Sequence, residues 1–144
     1  MNIKDKIPTP CDRLPEIDLY MDQLLSIVEE KESEDKKKEL TRAMVNNYAK
    51  AGLMPRAVGK RYQKEHIVWL TLISQLKEVY SVNELHQLVE ELEGNDAREL
   101  YETYSEYLEK AIDTLEKLGD DPLLFAAFSY IYKLRSEELL KGKE

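Results

Sequence analysis

Arg42, Asn46, Asn47 and Lys50 fall within nine consecutive residues. On a helix the step of four puts Arg42, Asn46 and Lys50 on one face, with Asn47 beside them. These residue types carry base-reading chemistry. An arginine can bond guanine O6 and N7 together, an asparagine can do the same to adenine N6 and N7, and a helix presenting them fits a major groove. Readout needs phosphate affinity around it, and the neighbours supply charge of that sign: Arg56, Lys60, Arg61 and Lys64 follow, and Lys36, Lys37 and Lys38 precede. From Lys36 to Lys64 nine basic residues face the single acid Glu39, whereas the rest of the chain holds 12 basic and 28 acidic residues and the whole carries −8. A basic segment in an acidic protein confines a polyanion to one face. The alternative is that the asparagines are merely solvated and that the lysines belong to a solvated loop. Tyr62, set among the charges, should pin that loop to the core. Lys36 to Lys38 either contact the phosphate backbone or keep a linker soluble.

Other chemistries find little support. His66 and His86 are the only histidines, each on a predicted helix and neither with metal-ligand spacing. Cys11 sits in a proline-rich stretch without a histidine partner in view, which argues against a thiol nucleophile. Glu90-Glu91 and the acids beyond residue 97 read as a solvated face rather than an acid/base pair. The five glycines are scattered, so there is no phosphate-cradling loop. We therefore expect neither an enzyme nor a cofactor or metal. Tyr101, Tyr104, Tyr107, Phe125, Phe128, Tyr130 and Tyr132 make the last third aromatic. Such a set suits either an effector pocket for a small molecule or a core and dimer interface; the interface is favoured, because tyrosine is at home there.

The elements that must position these residues follow from periodicity. Residues 1–15 contain Pro8, Pro10 and Pro15 and read as an extended arm. Ile17, Tyr20, Met21, Leu24, Ile27 and Val28 mark a first helix that fades in the polar run Glu29 to Glu39. Thr41 should cap a short helix to about Ala51, with Val45 and Tyr48 inward and Gly52 ending it in a left-handed conformation. Leu53 to Tyr62 is a loop or small β-hairpin. Ile67, Leu70, Ile73, Leu76 and Val79 mark a third helix. Ser81 and Glu84 form a capping box for a fourth, with Leu85, Leu88, Val89 and Leu92 inward. Gly94-Asn95-Asp96 breaks the chain. Leu100, Tyr104, Tyr107, Leu108, Ala111, Leu115 and Leu118 form a near-heptad stripe on a fifth helix. Asp121 and Pro122 then open a last helix, Leu123 to Tyr132, apolar on nearly every side and therefore in need of cover. The predicted core joins Val45, Tyr48, Leu53, Ile67, Leu70, Ile73, Leu76, Leu85 and Leu88.

At 144 residues the chain suits one domain with an appended helical piece. No apolar run reaches the roughly 18 residues of a membrane span, and MNIKDKIPTP lacks the apolar core of a secretory signal. A single cysteine excludes an intrachain disulfide and fits a reducing cytoplasm.

The order of helix, basic linker, short helix with a polar outer face, Gly52-Leu53-Met54-Pro55, basic hairpin ending at Lys60 and Tyr62, and two further helices resembles the winged helix-turn-helix domain of MerR-type transcription regulators. The chain departs from them at Asn46, where they commonly carry arginine, and in the long charged linker between the first two helices. Asn46-Asn47-Tyr48, Gly52-Leu53-x-Pro55, Lys60-Arg61-Tyr62 and Glu65-His66-Ile67, preceded by Leu19-Tyr20-Met21-Asp22-Gln23, closely resemble the bacterial family named domain of unknown function 1836. The resemblance to MerR regulators implies an all-α fold with a winged domain at 16–93 after the arm of 1–15, and a C-terminal region, 94–144, for dimerisation or effector sensing. It implies a transcription regulator that binds double-stranded DNA, with Arg42, Asn46, Asn47, Lys50, Arg56, Lys60, Arg61 and Lys64 at the DNA; the apolar stripe of the fifth helix and the apolar sixth add the expectation of a homodimer paired largely through residues 97–140. A protein-interaction adaptor that keeps the fold and binds an acidic partner is the alternative.

Overall fold

The structure, a computed structural model, describes residues 2–29 and 40–141. Residues 30–39 of the expected polar linker, Lys36 to Lys38 among them, lie outside these residues. Among the described residues the architecture is all-α: α1 (Met21–Glu29), α2 (Arg42–Lys50), α3 (Lys64–Leu76), α4 (Val82–Leu92), α5 (Ala97–Asp113), α6 (Leu115–Leu118) and α7 (Pro122–Lys141).

The centre is α3. Nine successive residues, His66 to Ser74, are buried, and a helix apolar on all sides must be covered on all sides. Helices α1 and α5 pack against it. Leu24 and Val28 of α1, Val45 of α2, Leu85 and Val89 of α4 and Tyr101 of α5 join one core with Ile67, Leu70 and Ile73. The expected core residues Tyr48 and Leu76 lie at its margin, while Leu88 is only half-buried. No buried side-chain polar atom among the described residues lacks a hydrogen-bond partner.

Residues 2–15 form two 3₁₀ turns, Ile3–Lys6 and Cys11–Arg13, laid against α5. Pro8, Cys11 and Leu14 are buried. The Tyr101 hydroxyl donates to the Thr9 carbonyl (2.6 Å), and Gln75 Nε2 donates to the Lys6 carbonyl (2.9 Å). The prolines deny this stretch a longer helix, yet its apolar side chains still complete the core.

Four helices differ from their expected extents: α3 ends at Leu76, short of Val79, which lies exposed in the following turn. Helix α1 begins at Met21 instead of Ile17, because Leu19 pairs in antiparallel fashion with Tyr62, both hydrogen bonds being 2.7 Å. A residue whose backbone serves a ladder cannot also turn in a helix. The fifth-helix stripe does not run unbroken to Leu118: α5 stops at Asp113, where the Thr114 hydroxyl donates to the Ala111 carbonyl (2.7 Å), and the four-residue α6 follows. Helix α7 runs on to Lys141, and its start is as expected, the Asp121 carboxylate accepting from Leu123 N–H (2.9 Å) ahead of the helix. It packs against α4. The capping box also forms as expected: the Ser81 hydroxyl accepts from Glu84 N–H (3.2 Å) and the Glu84 carboxylate from Ser81 N–H (2.8 Å).

Candidate nucleic-acid interface

Helix α2 owes both its ends to residues visible in the sequence. The Thr41 hydroxyl accepts from Met44 N–H (3.1 Å) at the start. At the finish Gly52 is left-handed (φ 78°), Leu53 N–H reaches the Tyr48 carbonyl (2.9 Å) and Gly52 N–H the Ala49 carbonyl (3.1 Å). This 6→1 and 5→2 pair is a Schellman closure, with Leu53 buried beneath it. Val45 is buried, so the helix can turn only its opposite face outward, and Arg42, Asn46, Asn47 and Lys50 are all exposed.

The chain then enters a two-residue hairpin. Val58 and Arg61 exchange both backbone hydrogen bonds (3.0 and 3.1 Å), and Gly59 (φ 57°) and Lys60 (φ 64°) are both left-handed, as a type I′ turn requires. Arg56, Lys60 and Arg61 are exposed, while Lys64 at the start of α3 is half-buried. Tyr62 anchors the hairpin as its position between charges implied: it is buried and bonded to Leu19. Burial raises its phenol pKa and that of Tyr48 above the ordinary tyrosine value.

A second anchor was missed in the sequence reading. His66 is buried; its Nδ1 accepts from Gln63 N–H (2.9 Å), so Nε2 carries the proton and donates to the Arg56 carbonyl (3.0 Å). The ring packs edge-on to Tyr62, with centroids 5.2 Å apart. One imidazole therefore caps α3 and holds the base of the hairpin. Its signal was the spacing Gln63-x-x-His66, a capping-box spacing with histidine in place of the usual acid.

The acids around this face were also missed. Arg42 pairs with Asp22, Arg61 with Asp18 (3.8 Å) and Lys64 with Glu16 (2.5 Å). Arg61 also lies over the Tyr20 ring, 5.7 Å from its centroid. Because Asp18 and Asp22 stand four residues apart, these pairs tie the first turn of α2 and the hairpin to the same short segment. The structure thus gathers Arg42, Arg61 and Lys64 along one short segment, places Asn46, Asn47 and Lys50 on the outer face of α2, and leaves Arg56 and Lys60 on the hairpin. Lys50, Arg56 and Lys60 form no ion pair with the described residues.

Elsewhere, no group of three His, Cys, Asp or Glu side chains among the described residues could hold a metal ion. No described helix is long and apolar enough to cross a membrane. A cavity of about 30 Å³ between the N-terminal stretch, α1, α3 and α5 is lined by Pro8, Leu14, Ile67, Thr71, Gln75 and Tyr101 among others. It has room for a water molecule but not for an organic effector.

No curated protein and no solved structure matches the chain significantly. The family described as "Domain of unknown function (DUF1836)" matches over residues 9–109, a span from the N-terminal stretch to α5 that includes every residue of the basic face. With well over half of its length matched, the chain belongs to the DUF1836 family.

Proposed function

We propose that this protein is a sequence-specific DNA-binding transcription regulator of MerR-like type that acts as a homodimer. Helix α2 is its recognition helix and the Val58–Arg61 hairpin its wing. The observation that carries this reading is the pairing of an exposed Arg42/Asn46/Asn47/Lys50 face with an adjacent basic hairpin, on a chain whose remainder is strongly acidic. Side chains able to read base edges then stand beside side chains able to hold phosphate. An acidic remainder also disfavours wrapping by the polyanion, so binding is confined to this side.

Dimerisation would use α5 to α7. Leu123 is 75 % exposed and Tyr132 66 %, and Tyr107, Tyr130, Ile131 and Leu134 are exposed as well. Pro122 to Tyr132 contains no charged residue, so two copies can pair this half of α7 with itself without opposing like charges. Interfaces of that kind are usually two-fold, which matches a palindromic operator.

Selection from a random duplex pool tests the whole reading: an inverted repeat should be enriched. On the selected site Asn46→Ala should relax preference at one base pair and cost about 1–3 kcal/mol. The double change Lys60→Ala and Arg61→Ala should weaken all duplexes alike and flatten the salt slope by about 0.9 per lost phosphate contact. Absence of duplex binding at low salt would refute the reading. It would favour the second one, an adaptor for an acidic protein partner, which draws support from the carboxylates already seated on Arg42, Arg61 and Lys64.

A further inference from the structure

We infer that the segment Glu16–Asp22 is a built-in competitor for the anion positions of the basic face, so that the protein holds part of its own polyanion affinity in reserve. The inference rests on the reading of that face as a phosphate-binding surface. Three carboxylates from seven consecutive residues each occupy a different cation: Asp22 on Arg42 of α2, Asp18 on Arg61 of the hairpin, and Glu16 on Lys64 of α3. Those cations come from three separate elements. The common factor is the segment, which runs past all of them in turn.

In the Lys64 pair the carboxylate lies outermost, whereas Arg42 with Asp22 and Arg61 with Asp18 are exposed to similar degrees. The Lys64 side chain is 20 % exposed and that of Glu16 is 82 % exposed, so an incoming anion meets the carboxylate before it meets the ammonium. Leu19 fixes the middle of the segment through its two bonds to Tyr62, whereas Glu16 and Asp18 belong to no helix and can swing aside without unfolding one. Arg61 keeps a contact with the Tyr20 ring whether or not Asp18 is in place. That contact keeps Arg61 positioned when Asp18 swings aside. The cost of displacing them is that of exposed ion pairs, about 1.5- to 5-fold each in binding, and between roughly 3- and 100-fold for the three together. Being exposed, the effect is screened by salt.

The test compares the native chain with the triple variant Glu16→Gln, Asp18→Asn, Asp22→Asn and with a charge-matched control, Glu93→Gln, Glu106→Gln, Glu109→Gln, exposed sites on α5 and just after α4, which supply none of the three paired cations. Each is titrated with a duplex pool and, separately, with heparin between about 50 and 200 mM salt. The triple variant should bind both polyanions roughly 3- to 100-fold tighter at the low end, the gain shrinking as salt rises, and the control should gain much less. The single Glu16→Gln change at the surface should give about 1.5- to 5-fold and guards against a folding defect in the triple variant. Tighter heparin binding with no duplex binding by any of the proteins would uphold the competitor and refute the DNA reading. Equal gains in variant and control, or unchanged or weaker heparin binding by the triple variant, would overturn the inference whatever the duplex shows.

Discussion

Replacing Lys60 by glycine should stabilise the protein and, on the proposed DNA-binding reading, weaken its affinity for duplex DNA at the same time. Lys60 sits at φ 64° in the second central position of the hairpin turn, where a Cβ atom crowds the following carbonyl at a cost of about 1–2 kcal/mol. Glycine removes that crowding but returns about 0.4–1 kcal/mol through the greater freedom of its unfolded chain. The balance favours Lys60→Gly by about 0.5–1 kcal/mol, which for a chain of this size raises Tm by about 1–4 °C. The lost ammonium has no ion-pair partner among the described residues, so no internal contact offsets the gain. Thermal and urea unfolding read the first effect. Fluorescence anisotropy with duplex DNA over a salt series reads the second, as a loss of affinity for every sequence and a slope about 0.9 shallower. A variant less stable than the parent would refute the strain argument. A more stable variant with unchanged affinity and slope would remove Lys60 from the proposed interface.

Three further outcomes follow from contacts away from the side chains proposed to bind DNA. Burial, followed by the proximity of Cys11, raises the Tyr101 phenol to about 12; with a folded value above the unfolded one of about 10, its stabilisation is complete below about pH 10 and is lost as pH rises toward 12. Base titration followed by circular dichroism should show unfolding in that window, and Tyr101→Phe should be less stable at neutral pH yet lose less between pH 10 and 12; an equal alkaline loss in both proteins would contradict the assignment. Replacing His66 by phenylalanine strands Gln63 N–H and the Arg56 carbonyl and should cost roughly 2–4 kcal/mol in urea unfolding, and a cost under about 1 kcal/mol would show that those bonds are dispensable. Ile131→Glu places a charge in the uncharged half of α7 and should shift sedimentation from dimer to monomer without lowering helix content; a parent protein already monomeric at micromolar concentration would dispose of the dimer.

Local signals proved legible where one short stretch decides the outcome. Thr41, Gly52, Ser81 with Glu84, and Asp121 with Pro122 each specify a helix end through atoms within a few residues, and each end lies where those residues imply. The outward face of α2 could be read because Val45 fixes the inward one. What escaped was set by distant partners. Nothing near Ile17 announces that Leu19 will pair with Tyr62 and delay α1. The acids at 16, 18 and 22 look like an ordinary solvated run until the fold brings Lys64, Arg61 and Arg42 over them. His66, which lacks metal-ligand spacing in the sequence, is instead a brace. Thr114 was hidden by the stripe around it, since Leu115 and Leu118 continue the apolar spacing although the backbone does not continue the helix.

Nine successive buried residues in α3 also set how freely this protein can vary in sequence. An ordinary surface helix offers several harmless positions in every two turns; between His66 and Ser74 there are none. Its few polar members survive by finding internal partners, Ser74 by donating to the Thr71 carbonyl (3.0 Å) and His66 by its two bonds. Any replacement there must match both the volume and the hydrogen-bond pattern of its site, since an added methylene strains the packing and a removed one leaves a void. Random mutagenesis of this window should therefore return few functional clones, nearly all of them conservative exchanges among aliphatic residues. A library over the outer face of α2, where Arg42, Asn46, Asn47 and Lys50 are exposed, should return many folded proteins.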